Sequence, residues 1–105
     1  MLIGDRRYDF NFMAGRFYMV VYKYILDLTD RQVVSMPQGA VLLSVQNQHE
    51  DIVLWANVDP QAPMGGLEIV MCGTGHEAPN MPHVGTVQLQ GGDLVLHIFQ
   101  GAQRA

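Results

Sequence analysis

Two adjacent glycines, Gly91-Gly92, separate two short strand-like runs, residues 84–90 and 93–100. Both glycines can take positive φ, which a two-residue hairpin turn needs and most other residues resist. A turn this tight leaves little freedom in pairing. It predicts Gly85, Val87 and Leu89 opposite Ile98, Leu96 and Leu94 on a core face, and Val84, Thr86 and Gln88 opposite Phe99, His97 and Val95 on the other. His97 is thus expected directly across from Thr86, on the more polar side.

The rest of the chain repeats the theme of short runs punctuated by turn residues. Residues 16–26 are rich in aromatic and β-branched side chains, which favours a strand. A turn at Thr29-Asp30 and a short strand over 32–36 follow, ended by Pro37-Gln38-Gly39. Residues 40–46 and 51–58 form a plausible hairpin across a four-residue loop, 47–50, with Val41, Leu43 and Val45 on the apolar face opposite Ala56, Leu54 and Ile52. Trp55 then falls beside Leu42 on the reverse face. Residues 59–66, with Pro60 and Pro63, read as a loop, and 67–72 as a strand. Six or seven short strands without a helical period predict an all-β fold, a small antiparallel β-sandwich or a partly open barrel. Residues 1–15 read as an N-terminal extension or arm, 16–100 as a single β-domain and 101–105 as a frayed tail.

Composition narrows the function classes. The 105 residues carry a formal net charge of −4. Between residues 20 and 100 the cations are Lys23 and Arg31 alone, against eight carboxylates, so general nucleic-acid binding is not expected. The single cysteine, Cys72, rules out an intrachain disulfide and fits a reducing cytoplasm. The apolar run near the N-terminus is broken by Lys23 and Asp27, so neither export nor membrane insertion is supported. Trp55, Tyr18, Tyr22, Tyr24 and Phe99 offer an aromatic surface for a ligand or partner, though core packing is their commoner use, and the N-terminal aromatics Tyr8, Phe10 and Phe12 with seven methionines suggest apolar surface that a homo-oligomer would cover.

The stretch richest in chemistry is residues 73–83. Gly73-Thr74-Gly75 has the makings of a backbone-amide nest for an anion, yet lacks the lysine and helix of a phosphate loop. Against this stands the simpler use of glycine to supply positive φ at a strand end. His76, Glu77, His83 and His97 are metal-ligand types without close ligand spacing, so no metal site or cofactor is assigned. No nucleophile with an acid–base partner is recognisable, which points away from an enzyme. The candidate ligand- or partner-binding residues are Gly73, Thr74, Gly75 and His76, with Thr86, His97 and Trp55.

The segments Val21-Tyr22-Lys23-Tyr24, Pro37-Gln38-Gly39-Ala40, Leu54-Trp55-Ala56-Asn57-Val58-Asp59-Pro60, Gly73-Thr74-Gly75-His76 and Val84-Gly85-Thr86-Val87-Gln88, closing on His97-Ile98-Phe99, together resemble a domain-of-unknown-function family of small phage and prophage proteins. The resemblance runs over about residues 19–100. It implies a compact β-fold and a phage context, and supplies no catalytic residues. The reading that follows is a non-enzymatic, phage-type binding protein of the host cytoplasm, a host-interaction or counter-defence factor whose partner is a host protein or small molecule. The alternatives are an oligomeric sponge for an anionic nucleotide signal, with Arg6, Arg7, Arg16 or Lys23 from a neighbouring subunit, a metal-dependent hydrolase, and a minor virion or assembly protein.

Overall fold

The computed structural model describes residues 19–104, and the expected arm at 1–15 lies outside them. Seven strands build two antiparallel sheets: β1 (Val20–Leu26), β2 (Arg31–Pro37), β3 (Val41–Gln48), β4 (Asp51–Val58), β5 (Met64–Gly73), β6 (His83–Leu89) and β7 (Leu94–Arg104). One sheet has the order β1-β4-β3 and the other β2-β5-β7-β6. The architecture is the predicted β-sandwich, without closure into a barrel.

Alternation along each strand aims one set of side chains at the opposing sheet. Ile52, Leu54, Ala56 and Val58 from β4 meet Leu67, Ile69 and Met71 from β5, Val87 and Leu89 from β6, and Leu96 and Ile98 from β7, in one continuous core. No charged or polar residue is buried among the described residues. Burial of branched side chains at about 25 cal/mol per Å² is therefore the main force holding the sheets together.

The Gly91-Gly92 turn behaves as its glycines predict. Gln90, Gly91 and Gly92 all have positive φ, at 55°, 68° and 98°, and Asp93 N–H donates to Gln90 O at 3.2 Å. Val87 pairs with Leu96, Leu89 with Leu94 and Thr86 with His97, as expected. Only the far end departs: a bulge between His83 and Gly85 sets His83, not Val84, across from Phe99.

The β3–β4 hairpin corrects the expected register. Its loop is His49-Glu50, with His49 at φ 57°, because the strands extend to pair Gln48 with Asp51. A bulge between Leu42 and Ser44 then changes which side chains face inward. Leu42 sits opposite Ala56 and packs on the core, whereas Val41 and Leu43 are exposed at 56% and 52%. Trp55 consequently pairs with Ser44, not Leu42.

Two further boundaries move. β5 begins at Met64, since Met64, Gly65 and Gly66 pair with Pro37, Met36 and Ser35, so only the proline-bearing part of the expected loop lies outside the ladder. β7 continues to Arg104, with Gly66 opposite Arg104 and Leu67 opposite Gln103, so residues 101–104 are strand and not a frayed tail.

Candidate functional site

The outer face of the β2-β5-β7-β6 sheet carries a row of polar side chains. Cys72 on β5, His97 on β7 and Thr86 on β6 lie side by side through strand pairing. At the end of β5, a turn closed by His76 N–H donating to Gly73 O at 3.1 Å returns Thr74 over the same face. Gly75 makes this turn possible with φ 87°.

These placements produce one hydrogen-bonded chain. Thr74 Oγ1 lies 2.8 Å from His97 Nε2, His97 Nδ1 lies 2.9 Å from Thr86 Oγ1, and Thr86 Oγ1 lies 3.1 Å from His83 Nε2. The His83 ring also meets Phe99 edge-on, with centroids 5.3 Å apart. Thr74, Thr86 and His83 are exposed and His97 is half-buried, so the chain lies at the surface.

Donor and acceptor counting gives this chain two self-consistent directions when both imidazoles are neutral. In one, His83 Nε2–H donates to Thr86, the Thr86 hydroxyl to His97 Nδ1, and His97 Nε2–H to Thr74. In the other, the Thr74 hydroxyl donates to His97 Nε2, His97 Nδ1–H to Thr86, and the Thr86 hydroxyl to His83 Nε2. One added proton on His97 is also accommodated, because both ring N–H groups then face hydroxyl oxygens. A second proton, on His83, leaves the Thr86 hydroxyl without an acceptor and places two cations on rings 6.4 Å apart.

Beside the chain is an open groove of about 820 Å³ between the β1–β2 turn, the end of β5 and residues 76–80. Arg31, Cys72, Gly73, His76 and Asn80 contribute to its wall, with Leu28 and Leu94 among its apolar parts. Arg31 is partly committed elsewhere, since its guanidinium donates to Glu68 Oε2 at 2.6 Å. Lys23 is in the other sheet, donating to Gln48 Oε1 at 2.9 Å.

Of the residues singled out from sequence, Thr74, Thr86 and His97 come together, and Gly73, Gly75 and His76 form the adjoining turn. His76 places its ring against Gly73, where an added Cβ would lie 3.5 Å from its Cε1. Trp55 is not part of this site, since it lies on β4 in the other sheet between Lys23 and Ser44. The amide nest is reduced, because the His76 N–H is spent on Gly73 O. Among the described residues no three His, Cys, Asp or Glu side chains stand together as a metal-binding group. The residue that sequence reasoning left out of the site is His83. In an unbroken strand, residues three apart face opposite sides, and only the bulge turns His83 onto the face of Thr86.

A family model described as a domain of unknown function, DUF7352, matches residues 18–105. The chain belongs to this family. The DUF7352 match takes in every strand of the sandwich and the whole Thr74–His97–Thr86–His83 chain, so the fold and the site both lie within the family's domain. No curated protein and no solved structure matches the chain.

Proposed function

We propose that this DUF7352 domain is a binding protein whose contact surface is the outer face of the four-stranded sheet together with the groove beside it. The observation that carries this reading is the Thr74–His97–Thr86–His83 chain, four polar side chains oriented by one another at the surface, with Cys72 and Gly73, their neighbours on β5, lining an open groove. Oriented surface hydrogen-bonding groups next to an apolar-lined hollow are what small-molecule and partner sites share. In a phage setting the occupant is a host protein or a small host molecule, and the role is host interaction or counter-defence in the host cytoplasm.

The test compares wild type with His97→Ala and Thr74→Val, in thermal shift against a nucleotide and metabolite panel and in affinity capture from host lysate. A ligand of the native state must raise its apparent melting temperature. The expected result is a shift or a captured protein that both variants lose. Retention of every such signal by both variants would remove the site from the function.

The nucleotide-sponge reading has less behind it, because Arg6, Arg7 and Arg16 lie outside the described residues and Lys23 donates to Gln48 of its own chain. Homo-oligomerisation is a separate part of the proposal. It rests on Val21, Ile25, Val41 and Leu43, exposed at 52–60% on the β1-β4-β3 sheet. Sedimentation of wild type and Ile25→Lys should show the variant as the smaller species, and identical monomers would refute it.

A further inference from the structure

The composition gives no sign of a nucleophile with its base, yet the fold assembles one. We infer that Thr74 and His97 form a nucleophile–base pair able to take an acyl group from a carboxylic ester.

Hydroxyl nucleophiles are recognised by geometry: a hydroxyl within hydrogen-bond reach of an imidazole whose other nitrogen is held by a third group. Thr74 Oγ1 and His97 Nε2 satisfy the first condition at 2.8 Å. Thr86 satisfies the second from the far side of the ring, at 2.9 Å from Nδ1. His83 extends the arrangement, because a Thr86 hydroxyl that donates to His83 Nε2 leaves its oxygen free to accept His97 Nδ1–H. That polarity keeps Nε2 as the acceptor facing Thr74. The imidazolium formed on proton transfer also keeps both of its N–H groups hydrogen-bonded.

The surroundings supply the remaining parts. Thr74 is exposed, so an ester can reach it, and Cys72 and Gly73, just before it in the chain, line the groove where an acyl group can lie. Among the described residues, the backbone N–H groups of Thr74 and Gly75 donate to no carbonyl in the loop and turn bonds. Amides at and just after the nucleophile are where an oxyanion is held in acyl transfer.

The step balances without a cofactor. Thr74 Oγ forms a bond to the ester carbonyl carbon while its proton passes to His97 Nε2. Collapse of the tetrahedral species breaks the carbon–oxygen bond to the leaving alkoxide or phenolate, which receives that proton and departs as the alcohol. Water then attacks the Thr74 ester by the same route, releasing the carboxylic acid and restoring the hydroxyl. With an activated aryl ester, whose phenolate leaves far more readily than the Thr74 alkoxide, acylation outpaces deacylation and the acyl-enzyme accumulates.

The experiment uses p-nitrophenyl acetate, intact mass and peptide mapping on the full chain. Wild type is expected to release p-nitrophenolate in a burst and gain one acetyl group on Thr74. Thr74→Ser keeps the hydroxyl and should still be acylated, whereas Thr74→Val should not be. His97→Gln should slow acylation about a hundredfold, the scale of a general base. Circular dichroism matching wild type assures that each variant is folded. Acetylation elsewhere only, or at Thr74 with an unchanged rate in His97→Gln, overturns the inference. The inference stands apart from the proposed binding role: loss of acylation with ligand shifts intact removes this chemistry alone, while acylation with no ligand or partner removes the binding reading alone.

Discussion

At the scale of single residues, Thr86 is the hinge of the polar chain, because its one hydroxyl serves both imidazoles. Thr86→Val keeps the shape and β-propensity but leaves His97 Nδ1 and His83 Nε2 to water. At a surface position this should lower stability by about 1 kcal/mol, read as a shift in urea midpoint with an unchanged slope. Tyr24 gives a pH-dependent case. Its phenol is pushed above the ordinary value of 10.0, first by burial and then by neighbouring Tyr22, whose ring meets it edge-on. The folded state therefore holds the Tyr24 proton more tightly than the unfolded chain does. That contribution is complete below the unfolded value and is lost as pH rises through the higher folded value. Alkaline unfolding curves should accordingly be shallower for Tyr24→Phe than for wild type above about pH 10.

At the scale of elements, the two sheets approach closely where β3 passes β6. An added Cβ on Gly85 would lie 2.8 Å from Val45 Cγ1 and 3.2 Å from Val45 O, and one of those neighbours is backbone. Gly85→Ala should therefore cost about 1–3 kcal/mol through overpacking, measurable by thermal or chemical denaturation. The bulges explain what was and was not legible in the sequence. The Gly91-Gly92 turn announced its own register, and with it the Thr86–His97 pair, because positive φ is a local property of those residues. Nothing local marks the bulge at Leu43, and the one at the start of β6 has only Gly85 beside it, a residue that in a strand fits either a bulge or a close backbone approach. They are settled by how each strand must bend to meet the opposing sheet, so the expected inward faces of Val41 and Leu43 were inverted and His83 was missed. The order β1-β4-β3 against β2-β5-β7-β6 was likewise beyond local reading, since it depends on long-range pairing.

At the scale of the molecule, the core is apolar among the described residues and the Thr74–His97–Thr86–His83 chain lies on one outer face. Changes on the two sides should thus separate cleanly. Leu54→Ala, at a position with 0% exposure in the middle of β4, should lose about 2–5 kcal/mol, detected as a fall in denaturation midpoint. His97→Gln should leave the stability within about 1 kcal/mol of wild type while altering the polar face. The Thr74–His97–Thr86–His83 chain organises that face, and imidazole nitrogen NMR of the intact protein reads it most directly. The predicted result is that His83 and His97 both have nitrogen shifts displaced from those of free histidine, and that Thr86→Val moves both rings back together. Free-histidine shifts in wild type, indifferent to Thr86→Val, would contradict it.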